Sequence, residues 1–345
     1  MVAAALIALV APSHLQQSIP GAINGYGWNL VSRAVPAVDA ADAAARVDPG
    51  LVLINTDLSY QGATGAGTGI VLDSNGVVLT NNHVVEGATQ ITVSSIANGQ
   101  SYPASVIGYD RKHDIALVQL PGAGGLPTAP LGTSSQITVG DPVTAIGNAN
   151  GQGLSRSQGS VTALNQSIVA ADDLASAEQL DGLIEVSANL IPGDSGGPLV
   201  NSSGQVIGID TAGSGKYRLS HNGGGADGFA IPIGTALSIA SQIQSGASSG
   251  SVHVGPSAML GVGVKNLARG GVPVAQVLRG SPADLVGIAP SDVITGFAGS
   301  AVTSGTTLTD LLDQHYPGNN VPVSWIDRSG QRYTANVTLA PGPVG

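Results

Sequence analysis

Short apolar runs alternate with clusters of glycine, asparagine, aspartate and serine over most of the chain. The pattern starts near Val47 and runs through GTGIVLD, GVVLTNNHVV, SYPASVIGYD, DIALVQL, DPVTAIGN, GSVTALNQSI, LIEVSANL, GPLV, QVIGIDTA and GFAIPI. Runs of this length, punctuated by turn residues, predict many short strands folded as a sandwich or barrel. Asn75-Gly76 and Ser203-Gly204 fall between such runs, where a hairpin turn needs glycine. After Pro232 the period changes. Ile233, Leu237, Ala240 and Ile243 recur at helical spacing and predict a closing helix.

A second unit follows. SGASSGS, residues 245–251, has the composition of a flexible linker. Beyond it GVGV, VAQVL, VPVSWID and RYTANVTL read as strands and TTLTDLLDQH as a helix. The length of 345 residues suits about two domains. The boundaries drawn are an N-terminal segment 1–45, a first domain 46–245, a linker 246–256 and a second domain 257–345. The fold class is mostly β.

Charge narrows the function. Only 10% of residues are charged and the net charge is −10, so the chain lacks the basic face a nucleic acid requires. There is no cysteine, which removes disulfides, thiolate metal sites and a cysteine nucleophile. The apolar run Val2–Val10 is too short to span a membrane. It resembles the apolar part of a signal peptide, with no Lys or Arg before it. Residues 1–13 are therefore read as a signal remnant truncated at its basic end, and the protein as exported. The Ala/Pro-rich stretch after it, with Tyr26 and Trp28, is read as an extended arm.

The densest chemical signal is IPGDSGGPLV, Ile191 to Val200. A serine hydroxyl is a poor nucleophile at neutral pH. It needs a base to take its proton and amides to hold the oxyanion that forms. Glycines around Ser195 let successive N–H groups converge, and those of Gly193 and Ser195 would form an oxyanion hole. Of six histidines, His83 in LTNNHVV sits at a strand end, rigid yet able to reach a cleft. His14, His221, His253 and His315 lie in the arm, a Gly-rich loop, the linker end and a helix end. His113 adjoins an aspartate but points away from it if its segment is extended. Asp114 opens the apolar strand DIALVQL, where a carboxylate is costly unless hydrogen-bonded. The order His83, Asp114, Ser195 is that of the chymotrypsin arrangement. An α/β-hydrolase needs the serine first and alternating helices; neither is present.

TNNHVV, HDIALVQL and PGDSGGPLV, followed by VIGIDT and GFAIPI, resemble the trypsin-like domain of the HtrA/Deg serine proteases, most of all exported mycobacterial PepA-type members. The likeness covers about residues 46–245. It implies a chymotrypsin-like double β-barrel, each barrel six-stranded, with the site in the cleft between them. By that resemblance Ser195 is the nucleophile, His83 the general base and then acid, Asp114 its orienter, and Gly193 and Ser195 the oxyanion donors. Asn189, Leu190, Ile191, Ile209, Asp210, Thr211, Ala212, Phe229 and its neighbours through Ile231 would line the substrate pocket. If Asp210 turns away from that pocket, the side chain before the cleaved bond should be small and aliphatic; if it faces in, basic residues fit. Two positions depart from the family: Asp194 stands where many members have Asn, and Ser187 where an acid is common.

GSPADLVGIAPSDVITGFAGSAV and MLGVGV resemble a PDZ domain, with Ser291 where the family has Gly. The resemblance implies that Leu260, Gly261 and Val262 bind the carboxylate of a C-terminal peptide. Leu308, Leu311 and Leu312 either shape that groove or fill the core. The implied activity is endoproteolysis of unfolded or damaged exported proteins, without metal or organic cofactor. A homotrimer joined through the arm is implied at family level. The other reading is a PDZ-based peptide-binding or chaperone-like protein with a latent protease centre.

Overall fold

A computed structural model describes residues 40–171, 177–213, 217–219, 228–265 and 270–344. The expected signal remnant and arm, with Tyr26 and Trp28, lie outside these residues, as does His221. Helix α1 (Ala40–Ala45) leads into β1 (Leu51–Leu58), β2 (Ala63–Asp73) and β3 (Val77–Thr80). Gly76 makes the β2–β3 turn at φ 87°, as its Asn-Gly pair requires. The short helix α2 (Asn82–Val85) then precedes β4 (Gln90–Ser95), β5 (Ser101–Asp110) and β6 (Ile115–Gln119). The antiparallel order β5-β4-β1-β2-β3-β6 is closed by β5 pairing with β6, which makes a six-stranded barrel. Val52, Ile54, Val78, Val93 and Val118 fill it.

The second barrel repeats the plan. Strands β7 (Pro142–Gly147), β8 (Ser155–Ala171), β9 (Ala177–Val186), β10 (Pro198–Asn201), β11 (Val206–Gly213), β12 (Tyr217–Leu219) and β13 (Gly228–Pro232) follow in sequence. The order β8-β7-β10-β11-β13-β9 closes through β8 and β9, with β12 added outside β8. The closing helix α3 (Ile233–Gln244) buries Ile233, Ala236, Ile239, Ala240 and Ile243, an apolar stripe close to the expected one.

The stretch expected as a linker, residues 246–256, contains a strand. Val252–Val254 form β14, antiparallel to β5 on the edge of the first barrel. Gly108 makes this approach possible, because a Cβ there would lie 2.5 Å from the His253 carbonyl. Val252 is buried, and the His253 ring stacks on Tyr109 at 5.1 Å.

The C-terminal unit has two small sheets. β15 (Ala258–Met259) pairs with β22 (Ala340–Pro341). The larger sheet has the order β16 (Val262–Val264), β17 (Val272–Val277), β18 (Val293–Phe297), β20 (Asn320–Ile326), β21 (Arg332–Thr338), with β19 (Ser300–Ala301) on β18. Helices α4 (Pro282–Leu285) and α5 (Gly305–Leu312) are each capped by a serine, Ser281 and Ser304, whose hydroxyl accepts an N–H three residues on. Leu260, Ile294, Phe297, Leu308 and Trp325 form its core. Ser291 adopts φ 78°, which explains why glycine suits this position.

Polar contacts seat this unit on the first barrel. The Arg111 guanidinium lies between Glu86 and Asp313, 3.1 Å from the latter. The Tyr109 hydroxyl donates to Asp313 at 2.7 Å. Burial works against the Arg111 charge, but the two carboxylates outweigh it and hold the guanidinium protonated. Burial pushes the Tyr109 phenol up, with Asp313 adding to the effect.

Candidate active site and peptide groove

The two barrels bring the three candidate residues to one place. His83 sits on α2, just after β3. Asp114 immediately precedes β6, in a turn that holds it at φ 54°. Ser195 lies in the loop between β9 and β10 of the other barrel. His83 Nδ1 is 2.8 Å from Asp114 Oδ2, and the His83 amide donates to Asp114 Oδ1 at 3.0 Å. The Asn81 side-chain amide fixes the Asp114 carbonyl at 2.8 Å. The carboxylate is buried, while the imidazole is 39% exposed and so open to a substrate. Thr211 joins the sites across the barrels. Its hydroxyl donates to Asp114 Oδ2 in a short bond, and the Ser195 hydroxyl lies 3.4 Å from its carbonyl.

The glycine loop is held from the first barrel. Thr68 N donates to the Ser195 carbonyl at 2.9 Å, and the Thr68 hydroxyl to the Gly193 carbonyl at 2.9 Å. Asn150 N donates to the Pro192 carbonyl at 2.8 Å. In a trans peptide the N–H points opposite to the carbonyl, so the Gly193 N–H is turned away from Asn150. Among the described residues, neither the Gly193 nor the Ser195 N–H donates to any protein acceptor. Gly193 at φ 100° cannot be replaced freely, since a Cβ would sit 2.0 Å from the Asn148 carbonyl.

The expected pocket residues divide. Asn189 is exposed and Ile191 half-buried, whereas Leu190 is buried against Gly228. Ile209 and Phe229 belong to a buried apolar cluster that the second barrel shares with strands of the first and with α3. Thr211 is buried by its bond to Asp114, and Ala212 contributes a backbone position opposite Phe229 on β13. Asp210 has no exposure at all, and among the described residues its carboxyl oxygens find no close hydrogen-bond partner, the Ile146 backbone amide being the one group that favours its charge. Burial pushes this carboxyl well above the usual range, and the neighbouring Asp194 pushes it further. Burial likewise raises Asp194, whose Oδ2 accepts from Ile191 N at 3.0 Å. Ser187 ties β9 to Ser160, its hydroxyl accepting the Ser160 amide at 2.9 Å. His113 does not point away from every acid: the turn curls it back to 2.8 Å from Asp110, and that bond raises its imidazole.

A second concavity of about 710 Å³ lies between α5 and β16, whose outer edge is unpaired among the described residues. Leu260, Gly261 and Val262 line it, as do Leu308 and Leu312, while Leu311 packs on the core. Among the described residues, no group of His, Cys, Asp and Glu could hold a metal ion.

Residues 67–209 match the family model of the trypsin-like peptidase domain, and 258–339 that of the PDZ domain. Two barrels of this kind followed by a PDZ domain define a trypsin-like serine endopeptidase with an appended peptide-recognition module. Serine protease PepD of Mycobacterium tuberculosis is 31% identical over 91% of this chain and 70% of its own length. Putative serine protease HhoA of Synechocystis is 32% identical over 87% of this chain and 80% of its own. A solved structure of the HtrA-type protease AlgW with a tripeptide is 29% identical, with a TM-score of 0.51 over 89% of this chain and 99% of that one. The chain belongs to the HtrA family of serine proteases.

Thr68, Asn148 and Asn150 were not foreseen from sequence. Each acts through a contact between segments far apart in the chain, and none stands in a motif that marks it.

Proposed function

We propose that this endopeptidase cleaves unfolded or damaged exported proteins through Ser195, His83 and Asp114. The observation that carries the reading is the pair of unspent amides at Gly193 and Ser195 beside an imidazole held by a buried carboxylate. Asp114 accepts the Nδ1 proton, which leaves Nε2 to take the Ser195 proton as Oγ attacks the scissile carbonyl. The two amides hold the oxyanion. The imidazolium then gives its proton to the leaving amine, and water hydrolyses the acyl-enzyme by the same route. Thr211 keeps Asp114 oriented. Because Asp210 is sealed from solvent, it offers no charge for a basic side chain, and this supports small aliphatic residues before the cleaved bond.

Export is part of the reading. Several relatives are named probable periplasmic serine endoproteases, and no described helix is long and apolar enough to cross a membrane. The PDZ groove would take C-terminal peptides as an added strand on β16. Assembly into a homotrimer rests on the family resemblance alone.

The test is cleavage of unfolded casein by the purified protein and by Ser195→Ala, with a folded substrate as control. Cleavage of the unfolded substrate alone, lost in the variant, is expected. Cleavage that survives in Ser195→Ala would overturn the assignment.

A further inference from the structure

The peptide groove is not built from the PDZ domain alone. Tyr60 and Gln61, in the β1–β2 turn of the first barrel, also line it. The chain path brings them there. After β22 pairs with β15, the backbone returns to the first barrel: Gly87 N donates to the Val344 carbonyl at 2.7 Å, and Val344 N to the Ala88 carbonyl at 3.1 Å. The Gln61 side chain packs over Gly87, where an added Cβ would lie 3.1 Å from its Nε2. Tyr60 and Gln61 therefore enter the groove from the side where the chain leaves β22, next to Val344, and share its lining with Ala258, Met259 and Leu260.

The groove itself is prepared for a carboxylate. The N–H groups of Leu260 and Gly261 donate to no acceptor among the described residues. Arg279 lines the same groove and forms no ion pair there among the described residues. Two free amides and an unpaired guanidinium complement a terminal carboxylate, and the apolar faces of Leu308 and Leu312 complement the last side chain. Tyr60 is 51% exposed, a large ring left uncovered in the lining of the same groove.

We propose that Tyr60 and Gln61 of the protease barrel form the end wall of the peptide site and help select the terminal residue of the bound peptide. The occupant is an extended peptide with a free carboxylate and an apolar last side chain. Its terminal residue touches both domains, and part of its affinity comes from the barrel. This inference rests on the peptide-binding reading of the groove given above.

The experiment measures fluorescence polarisation of labelled ten-residue peptides, Gly/Ser-rich except for a C-terminal Val, Leu or Phe, in acid and amidated forms. The protein is the full chain carrying Ser195→Ala, so that nothing is cleaved. The acid peptides should bind and the amides should not. Tyr60→Ala should weaken binding about tenfold, the scale of losing one aromatic anchor, and flatten the preference among the three termini. Tyr60→Phe should bind within about twofold of the parent, because the ring and not the hydroxyl forms the wall. Gln61→Ala gives a second perturbation of the same wall, and thermal melts confirm that each variant is folded. If no acid peptide binds the parent, the peptide-binding reading falls and this inference with it. If the parent binds while Tyr60→Ala and Gln61→Ala match it in affinity and preference, the peptide reading stands and the composite wall is refuted.

Discussion

Asp210→Asn tests how the nucleophile loop is supported from behind. The Asp210 backbone is bonded to that loop in both directions: Gly196 N donates to its carbonyl, and its own N–H donates to the Gly197 carbonyl, each at 2.8 Å. Its side chain is fully buried, only the Ile146 backbone amide works toward its charged form, and the charged group acting on it is another acid, Asp194. An ionised carboxylate in such a place is strongly disfavoured. Asp210 therefore keeps its proton in the fold at pH values where the unfolded chain has lost it. The folded state then binds more protons than the unfolded state, so stability falls as pH rises. The loss starts near the ordinary aspartate value of about 4 and stops where the raised folded value is passed. Within that window it is on the order of 1 kcal/mol per pH unit.

Asparagine has the same shape and no proton to lose. Urea unfolding of the full chain, with Ser195→Ala to prevent self-cleavage, should give curves for Asp210→Asn and its parent that lie close together near pH 4. They should separate steadily above it, with the asparagine variant the more stable. A smaller slope of the same sign remains in the variant, because Asp194 is also raised. In the active enzyme the same substitution should move the alkaline fall in kcat to higher pH. Curves that run parallel from pH 4 to 9 would refute the buried-acid argument. A variant that loses ground as pH rises would show that Asp210 is ionised and stabilised.

Thr211→Val removes the hydroxyl that donates to Asp114 and should lower kcat roughly tenfold to a hundredfold, the worth of one hydrogen bond to a charged group; steady-state kinetics on a peptide substrate would show it, and an unchanged kcat would mean that His83 and Asn81 suffice to orient Asp114. Arg111→Met removes the bridge between Glu86 and Asp313. Since Glu86 is substantially exposed, the expected loss is modest, about 1–2 kcal/mol in urea unfolding, and an unchanged midpoint would place the seating of the PDZ domain on other contacts.

The candidate triad was legible because each member sits in a local string with a local reason: glycine where the backbone must turn back, a strand end for the imidazole, a carboxylate at the lip of an apolar strand. What holds the triad in place was not legible. Thr68 reads as an ordinary strand residue, since threonine is a good strand former in any sheet, and Thr211 was expected only as pocket lining. Their roles exist only because the barrels meet, so that a hydroxyl on β2 reaches Gly193 and one on β11 reaches Asp114. The same limit applies to two further segments. Glycine and serine made 246–256 look like a linker, yet whether such a stretch stays flexible depends on what it can pair with, and Gly108 leaves room on β5 for Val252–Val254. His113 was expected to point away from its neighbour Asp114 in an extended segment; the chain turns there instead, and the imidazole reaches back three residues to Asp110. Tyr60 carries no signal at all in its own neighbourhood. Composition and periodicity report what a segment can form by itself, whereas the groove wall, the barrel junction and the support of the nucleophile loop are each made by segments that meet only in the fold.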